Sequence, residues 1–406
     1  MDSRVAHAAD ARRARPGPAL ELDPAADPFS PESLEHLVRR YGSPLFVIDL
    51  ERVRRQYRRL AAALPHVALY YALKPLPHFA VIRALRDEGA CFDLATNGEV
   101  DLAQRQGVPS DRCIHTHPIK RDSDIRTALA YGVDRFVVDN PDELRKFVKY
   151  RDRASLLVRV CFRSPDAVCD LSKKFGCAPD AVAGLLALAA ELDLRVDGLS
   201  FHVGSQCAGS DMHVEAIRVC GELMRASATA GRPLGILDIG GGFPVGPLAS
   251  APPIEDFCAP IRAALGSLAP GTRVIAEPGR YIAAPSAVAV SSVMGRSQRD
   301  GRWWYYLDDG LYGSYSGRLY DHAQYPIEAL GATGPVYPSV LAGPTCDSID
   351  VIDESLELPK LDVGDLIVGR SMGAYTWASA SDFNFFPRAT VLALDHGRLE
   401  TEREPA

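Results

Sequence analysis

The sequence predicts an α/β fold, in which a (β/α)8 TIM barrel precedes a C-terminal all-β domain with a Greek-key-like arrangement. A chain of 406 residues suits a barrel of roughly 200–250 residues plus a smaller partner domain. From about residue 45, short β-branched or aromatic runs alternate with longer helical patterns, as in βαβ units around a parallel sheet. After about residue 280, strands follow one another across turns, without helices of comparable length.

The domain boundaries follow from this change of pattern. We expect a flexible N-terminal tail over residues 1–27, a segment associated with the β domain over 28–44, the barrel over 45–282 and the β domain over 283–406. The run Leu45–Leu50 is one strand more than a barrel needs, so we assign it to the second domain or to its junction with the barrel.

Eight strands are predicted for the barrel, each followed by polar residues. They end near Lys74, Asp93, His117, Asp139, Arg159, His202, Gly240 and Glu277. Four clear strands are predicted for the β domain: Trp303–Leu307, Val336–Leu341, Leu366–Arg370 and Ala389–Leu394.

Composition disfavours several classes of function. No apolar run approaches the roughly 18 residues of a membrane span, and a net charge of -7 with dispersed basic residues gives no surface for nucleic acid. Nine cysteines without a C-x-x-C pair indicate neither a disulfide framework nor a metal site. The N-terminus lacks the apolar stretch of a secretory signal, so we expect a cytoplasmic protein without membrane or nucleic-acid partners.

Lys74 is the first candidate catalytic residue. Barrel enzymes place their chemistry at the C-terminal ends of strands, and Lys74 follows the apolar run Val67–Leu73. Desolvation by the barrel walls would lower its pKa and free the amine to form a Schiff base. Taken alone, a surface lysine at a strand end is the commoner interpretation.

Two glycine-rich turns after late strands strengthen the prediction. Gly240-Gly241-Gly242 and Gly279-Arg280 stand where barrel phosphate sites usually lie, since glycines let N–H groups approach a phosphate and arginine can clamp it. Glu277 could keep a pyridine nitrogen protonated, or form a plain ion pair with Arg280. His202 could stack on a planar ring, or be a core histidine.

Ten motifs in order resemble the eukaryotic-type ornithine decarboxylases, within the alanine-racemase-like, fold-type III group of pyridoxal-phosphate enzymes. The resemblance runs from about residue 40 almost to the C-terminus. It rests on the stretches around His202 and Gly240–Gly242 and on Tyr71–Lys74, Phe92–Glu99, Leu171–Gly176, Glu277–Arg280, Asp309–Ser314, Leu319–Ala323, Gly343–Asp347 and Gly373–Thr376.

The resemblance implies a role for each matching residue. Lys74 would carry pyridoxal 5'-phosphate, His202 would stack on its ring and Glu277 would pair with the ring nitrogen. Asp93 and Arg159 would support the lysine and the ring. The phosphate would be held by Ser205, Gly240, Gly241, Gly242, Gly279, Arg280 and Tyr375.

A homodimer with shared active sites is also implied. Cys346 and Asp347 would reach into the neighbouring barrel, where Cys346 would protonate the carbanion and Asp347 would bind the distal ammonium of the substrate. Asp321 and Tyr312 would complete that distal pocket, and Phe383 would be an apolar wall. These roles make physical sense, because a thiol titrates near working pH and a buried cation needs carboxylate partners.

The activity implied is decarboxylation of a basic L-amino acid, with L-ornithine giving putrescine and carbon dioxide as first choice, as in polyamine biosynthesis. L-lysine or another diamino acid stays open, because Phe385 stands where relatives often have glycine and can reshape the pocket. A diaminopimelate decarboxylase or a racemase fits the pocket residues less well. A catalytically inactive regulatory homologue like the antizyme inhibitors is the alternative outside enzymes; such proteins usually lose cofactor residues.

Overall fold

The computed structural model describes residues 22–23, 26–162, 173–246 and 251–402. Most of the expected tail, residues 1–21 and 24–25, lies outside this range, as do residues 171 and 172 of one motif. The helices are α1 (Pro31–Tyr41), α2 (Leu50–Ala63), α3 (Phe79–Asp87), α4 (Asn97–Arg105), α5 (Asp122–Tyr131), α6 (Pro141–Lys146), α7 (Val182–Glu191), α8 (Asp211–Thr229), α9 (Ile254–Leu265), α10 (Arg280–Ala283) and α11 (Gly317–Tyr320).

The strands fall into two groups along the chain. They are β1 (Leu45–Asp49), β2 (Val67–Ala72), β3 (Cys91–Leu94), β4 (Cys113–His115), β5 (Arg135–Val138), β6 (Ser155–Val160), β7 (Val196–Phe201), β8 (Ile236–Asp238), β9 (Arg273–Ala276), β10 (Ala287–Arg299), β11 (Arg302–Leu307), β12 (Ile327–Leu330), β13 (Val336–Ala342), β14 (Val351–Pro359), β15 (Leu366–Gly369), β16 (Thr390–Asp395) and β17 (Arg398–Leu399).

Strands β2 to β9 form a closed parallel barrel, and a helix follows each strand. This confirms the predicted TIM barrel, and all eight predicted strands are present. The interior holds a small apolar cluster that includes Tyr70, Ile114 and Leu157. Because parallel strands in a closed barrel all end at the same rim, the residues that follow them meet there.

The remaining strands form a nine-stranded sheet, which confirms the second, all-β domain. Its main path is β14-β13-β11-β10-β1-β16-β17, with β15 paired to β10 and β12 paired to β15. Most pairs are antiparallel, but β1 runs parallel to β16 and β11 runs parallel to β13. All four strands predicted here are present. Five further strands, β10, β12, β14, β17 and the N-terminal β1, complete the sheet.

The barrel boundary expected at residue 45 is wrong, because β1 lies in the middle of the nine-stranded sheet. Leu45 pairs with Val290 on one side and with Thr390 on the other. The run Leu45–Asp49 therefore belongs to the second domain, and α2 is the first element packed on the barrel side.

The end of the expected flexible tail also contacts the fold. Leu22 is buried, and its backbone N–H donates to the carbonyl of Gly397 at 2.9 Å. Asp27 accepts two hydrogen bonds from Arg52 at 2.9 Å. The α1 helix packs Leu34 and Leu37 into the β-domain cluster that contains Val47. In the described part of the chain, every helix is too short or too polar to cross a membrane.

Candidate active site

A cavity of about 280 Å³ lies at the rim where the barrel strands end. It contains most of the residues predicted for the site, brought together from strands β2, β7, β8 and β9 and from the β domain. Its lining consists of Ala72, Lys74, His202, Ser205, Gln206, Gly241, Gly242, Phe243, Glu277, Gly279, Arg280, Tyr281, Asp321 and Tyr375.

Lys74 reaches this cavity two residues after β2. Burial by itself lowers the pKa of its ammonium, but the charges of Tyr375, Asp93 and Glu277 outweigh burial, so the pKa lies above its usual value. The expectation that desolvation frees the amine is therefore wrong for the protein without ligand. These neighbours favour the protonated form of Lys74.

Asp93 and Arg159 supply charges around Lys74 from β3 and β6. Asp93 is buried and accepts a hydrogen bond from the Thr116 hydroxyl. Burial, with the nearby Glu277 charge, raises the pKa of Asp93 to about 7. The Arg159 guanidinium lies over the ring of Phe175, 5.6 Å from its centre. Thr116 and Phe175 thus orient the two groups that flank the lysine.

His202 follows β7 and presents a neutral ring to the cavity. Its Nδ1 accepts a hydrogen bond from the backbone N–H of Gly204 at 3.1 Å. Burial and the charges of Arg159 and Lys74 hold the pKa of His202 well below its usual value. An uncharged, oriented imidazole is a suitable surface for stacking on a planar ring.

Glu277 and Asp238 form a buried pair of carboxyl groups below the cavity. Burial, with the neighbouring Asp238, raises the pKa of Glu277 well above its usual value. Burial also raises the pKa of Asp238 to about 6, although this group accepts hydrogen bonds from Gly240 N–H at 2.9 Å and from the Ser200 hydroxyl at 3.1 Å. Glu277 therefore holds a proton that it could share with a basic nitrogen.

In the triple-glycine turn after β8, the carbonyl groups are hydrogen-bonded within the described structure, while two of the N–H groups are not. The carbonyls of Gly240, Gly241 and Gly242 accept from Glu277 N–H, from the His213 ring and from Cys207 N–H, at 2.8, 3.0 and 3.2 Å. The N–H groups of Gly241 and Gly242 have no acceptor among the described residues. Such a turn is built to receive an anion.

Close packing explains why these positions are glycine. A Cβ at Gly241 would lie 2.8 Å from the Glu277 carbonyl oxygen and 3.1 Å from His202 Nε2. Gly240 and Gly242 have positive φ values of 64° and 97°. A Cβ at Gly279 would lie 2.6 Å from Pro75, so Gly279 brings the ends of β9 and β2 together.

Arg280 and Ser205 stand beside the glycine turn. Arg280 Nε donates to the Ser205 hydroxyl at 3.2 Å, and the guanidinium lies 4.8 Å from the centre of the Tyr375 ring. Arg280 also forms an ion pair with Asp321, which the sequence did not predict. Hydroxyl, guanidinium and glycine N–H groups together form the donor set of a phosphate site.

The remaining predicted residues form a separate cluster in the β domain. The Tyr312 hydroxyl donates to Asp347 and lowers the pKa of that carboxyl. The Tyr312 and Phe383 rings stack with centres 4.3 Å apart, and Cys346 is exposed beside them. None of these residues lines the cavity around Lys74 in the described part of this chain.

Several site residues were missed by sequence reasoning. Asp238, Thr116 and His213 each hold another site residue in place through one hydrogen bond. Asp238 is the last residue of β8 and stands two residues before Gly240, which was a usable signal. Thr116 and His213 gave no such signal, because their roles depend on contacts between distant segments.

The residues present fit a planar phosphorylated aldehyde with a ring nitrogen. The cavity offers an amine, a ring for stacking, a protonated carboxyl group and an anion site with N–H groups that lack acceptors in the described structure. Pyridoxal phosphate has a matching group for each.

Comparison with known proteins agrees with this geometry. The model of the family described as pyridoxal-dependent decarboxylase, pyridoxal binding domain, matches residues 50–284. The lysine/ornithine decarboxylase of Selenomonas ruminantium is 36% identical over 90% of this chain and 93% of its own length, and the ornithine decarboxylase of Mus musculus is 36% identical over 85% and 79%.

Solved structures show the same similarity in three dimensions. The lysine/ornithine decarboxylase of Vibrio vulnificus complexed with putrescine is 53% identical, with a TM-score of 0.86 over 90% of this chain and 98% of the other. Its complex with cadaverine gives a TM-score of 0.87 at the same identity.

Proposed function

Because the chain belongs to the family of pyridoxal-dependent decarboxylases, we propose that it converts L-ornithine to putrescine and carbon dioxide and accepts L-lysine as a second substrate. The general activity follows from the family: the protein is a pyridoxal-phosphate-dependent decarboxylase of basic amino acids. The observation that carries the finer proposal is a carboxylate, Asp321, on the lining of the cavity that holds Lys74.

Pyridoxal phosphate, when bound, supplies an electron sink for the electron pair that the departing carboxylate leaves behind. Lys74 would hold the cofactor through its side-chain amine. His202 would cover one face of the ring, and Glu277 would form a hydrogen bond with the ring nitrogen from the cavity lining. Ser205, Arg280 and the glycine N–H groups would bind the phosphate.

Asp321 supports a substrate with a cationic far end. Its side chain is only 17% exposed and is paired with Arg280, so the substrate ammonium would replace that guanidinium as its cationic partner. An amino acid with a second carboxylate would meet repulsion, which disfavours diaminopimelate. Ornithine and lysine differ by one methylene, and a pocket discriminates such a difference by only about 1–3 kcal/mol. The Vibrio relative bound to both putrescine and cadaverine supports a site that takes both.

A homodimer is part of the proposal. In a single chain Cys346 is exposed and Phe385 is 96% exposed, while Tyr312 and Asp347 lie outside the Lys74 cavity. Exposed aromatic side chains beside a polar cluster are typical of an interface. We propose that this cluster enters the cavity of a second copy, where Cys346 donates a proton to the substrate carbon and Asp347 joins Asp321 at the distal ammonium.

A cytoplasmic location completes the proposal. Cys346 can donate a proton only as a reduced thiol, and a reducing compartment keeps an exposed thiol in that state. A regulatory homologue without activity is disfavoured, because the cavity keeps Lys74, His202, Glu277 and Arg280 together.

The decisive experiment measures carbon dioxide release from L-ornithine, L-lysine, L-arginine and meso-diaminopimelate by purified protein with pyridoxal phosphate. We expect turnover of ornithine and lysine, loss of turnover in Lys74→Ala and normal turnover in Lys149→Ala, a surface control. A visible cofactor band without turnover of ornithine or lysine would overturn the substrate assignment. The absence of any band would point to a protein that does not use the cofactor.

A further inference from the structure

His213 is a buried histidine that lies outside the cavity but contacts its phosphate-binding turn. It stands in the first turns of α8, has no exposed surface, and its Nε2 lies 3.0 Å from the carbonyl oxygen of Gly241. A carbonyl can only accept, so Nε2 must carry the hydrogen. Burial lowers the pKa of His213 to about 4, so the ring is neutral at working pH and this is its one N–H.

Aromatic residues surround His213, and they provide no hydrogen-bond partner for its Nδ1. The imidazole stacks on Phe243 with centres 5.6 Å apart and meets Phe257 edge-on at 5.7 Å. Nδ1 is buried and has no hydrogen-bond partner among the described residues. A phenylalanine would fill this space without an unpaired nitrogen, so packing alone does not explain an imidazole here.

The bond to Gly241 has a directional consequence for the turn. In a trans peptide the C=O and the following N–H point in opposite directions. Fixing the Gly241 carbonyl toward α8 therefore directs the Gly242 N–H the other way. That N–H is one of the two without an acceptor in the described structure, and Gly242 lines the cavity.

We propose that His213 is a positioning residue that sets the affinity for the cofactor phosphate by holding the Gly241–Gly242 peptide in its donating orientation. The other two carbonyls of the turn are held by backbone N–H groups, of Glu277 and Cys207. Among the described residues, His213 is thus the one side chain that donates to a carbonyl of this turn. A substitution there can release the Gly241–Gly242 peptide without altering the bonds from Glu277 and Cys207. The proposal rests on pyridoxal phosphate as the ligand of the cavity, but not on any particular amino-acid substrate.

The test compares a phosphorylated with an unphosphorylated ligand. Cofactor-free protein is titrated with pyridoxal phosphate and with pyridoxal, and the affinity is read from the absorption band without any amino acid. His213→Phe keeps an aromatic ring but removes the donor. We expect it to weaken binding of pyridoxal phosphate about tenfold, equivalent to about 1.4 kcal/mol, and to leave pyridoxal binding unchanged.

Two further variants separate positioning from packing. His213→Gln offers an amide N–H and should recover most of the lost affinity. Phe257→Leu disturbs the same aromatic surroundings but not the hydrogen bond, so the ratio of the two affinities should stay at the parental value. Equal losses for both ligands in His213→Phe, or unchanged affinity for pyridoxal phosphate, would overturn the proposal.

A measurement on the unmodified protein covers the case in which the variants do not fold. Nitrogen NMR of protein labelled at histidine and glycine should show His213 neutral, protonated at Nε2 and protected from exchange. Cofactor loading should leave that tautomer in place while the Gly242 amide signal moves downfield. A ring protonated at Nδ1 would contradict the proposal. So would a Gly242 amide signal that pyridoxal shifts but pyridoxal phosphate does not. The amino-acid substrate is absent throughout, so a wrong substrate assignment cannot produce either result.

Discussion

The carboxylate of Asp321 forms an ion pair with the guanidinium of Arg280 at the mouth of the barrel. The two residues were expected at opposite ends of the ligand, Arg280 at the phosphate and Asp321 at the distal ammonium of the substrate. Their contact means that, without ligand, each one neutralises the charge of the other. If the proposed roles are correct, cofactor phosphate and substrate ammonium both compete with this ion pair, and we expect occupation of one site to favour occupation of the other.

Asp321→Asn tests this coupling. Loss of the charge should raise the KM for L-ornithine about 10- to 100-fold, because a charge-assisted hydrogen bond contributes about 1.5–3 kcal/mol. The same change should strengthen binding of pyridoxal phosphate to cofactor-free protein, because Arg280 loses a competing carboxylate. Asp353→Asn, which removes the partner of Arg318 at 2.9 Å in the β domain, is the matched control and should change neither value. An unchanged KM would remove Asp321 from the substrate pocket.

Gly241→Ala should damage the cofactor site. The added Cβ would lie too close to the Glu277 carbonyl and to His202 Nε2, so the turn must move away from both. We expect affinity for pyridoxal phosphate to fall at least about tenfold, since the phosphate loses hydrogen bonds to the turn. Gly235→Ala is the control, because a Cβ there meets nothing within 4 Å. Equal affinities of the two variants for pyridoxal phosphate would show that the glycine turn can move away from the added Cβ without loss of binding.

Asp93→Asn should change how stability depends on pH. The pKa of Asp93 is raised from 3.8 to about 7 in the folded, cofactor-free protein, chiefly by burial. Below about pH 4 the carboxyl is protonated in both states; as pH rises toward 7 the unfolded chain ionises first, so the free energy of unfolding falls.

The difference in free energy of unfolding between parent and variant should therefore change by about 2–4 kcal/mol from pH 4 to pH 7, with the parent losing stability as pH rises. Urea unfolding of cofactor-free protein at several pH values measures it. Parallel pH profiles would mean that the pKa of Asp93 is the same in the folded and unfolded chain.

His115→Leu should stabilise the protein by about 1–2 kcal/mol. His115 is fully buried and neither ring nitrogen has a hydrogen-bond partner in the described residues. Burial lowers the pKa of His115 to about 3, so the parent loses stability as pH falls below 6.5 and the variant should lose less. His78→Leu is the contrasting control: His78 Nδ1 accepts from Ala80 N–H at 3.3 Å at the start of α3, so its loss should lower the melting temperature. A lower melting temperature for His115→Leu would reveal a partner for its ring.

Mixing two inactive variants tests the shared active site. Lys74→Ala and Cys346→Ala should each be nearly inactive as pure dimers. After exchange of subunits, a mixed dimer contains one cavity with both residues intact, so roughly a quarter of the parental activity should return. No recovery, despite exchange shown by mass spectrometry, would place Cys346 and Lys74 of one chain in the same site.

Sequence reasoning reached the barrel and most of the cavity because both depend on local patterns. Apolar runs fix the barrel strands, and polar residues directly after them mark the rim, as for Lys74 and His202. The long strand β10 was missed because its burial changes from continuous to alternating along its length, so no single period describes it. The ion pair of Arg280 with Asp321 joins two segments that are distant in the sequence, and no periodicity in the sequence encodes it.

The place of β1 has a consequence for how the molecule is made. Leu45–Asp49 lies between β10 and β16, and Leu45 pairs with Thr390 near the other end of the chain. During synthesis β1 must wait until β16 has been made before both of its neighbours in the sheet are present. A fragment that begins after residue 282 would therefore lack a strand from the interior of its sheet, and we expect it not to fold as an independent module.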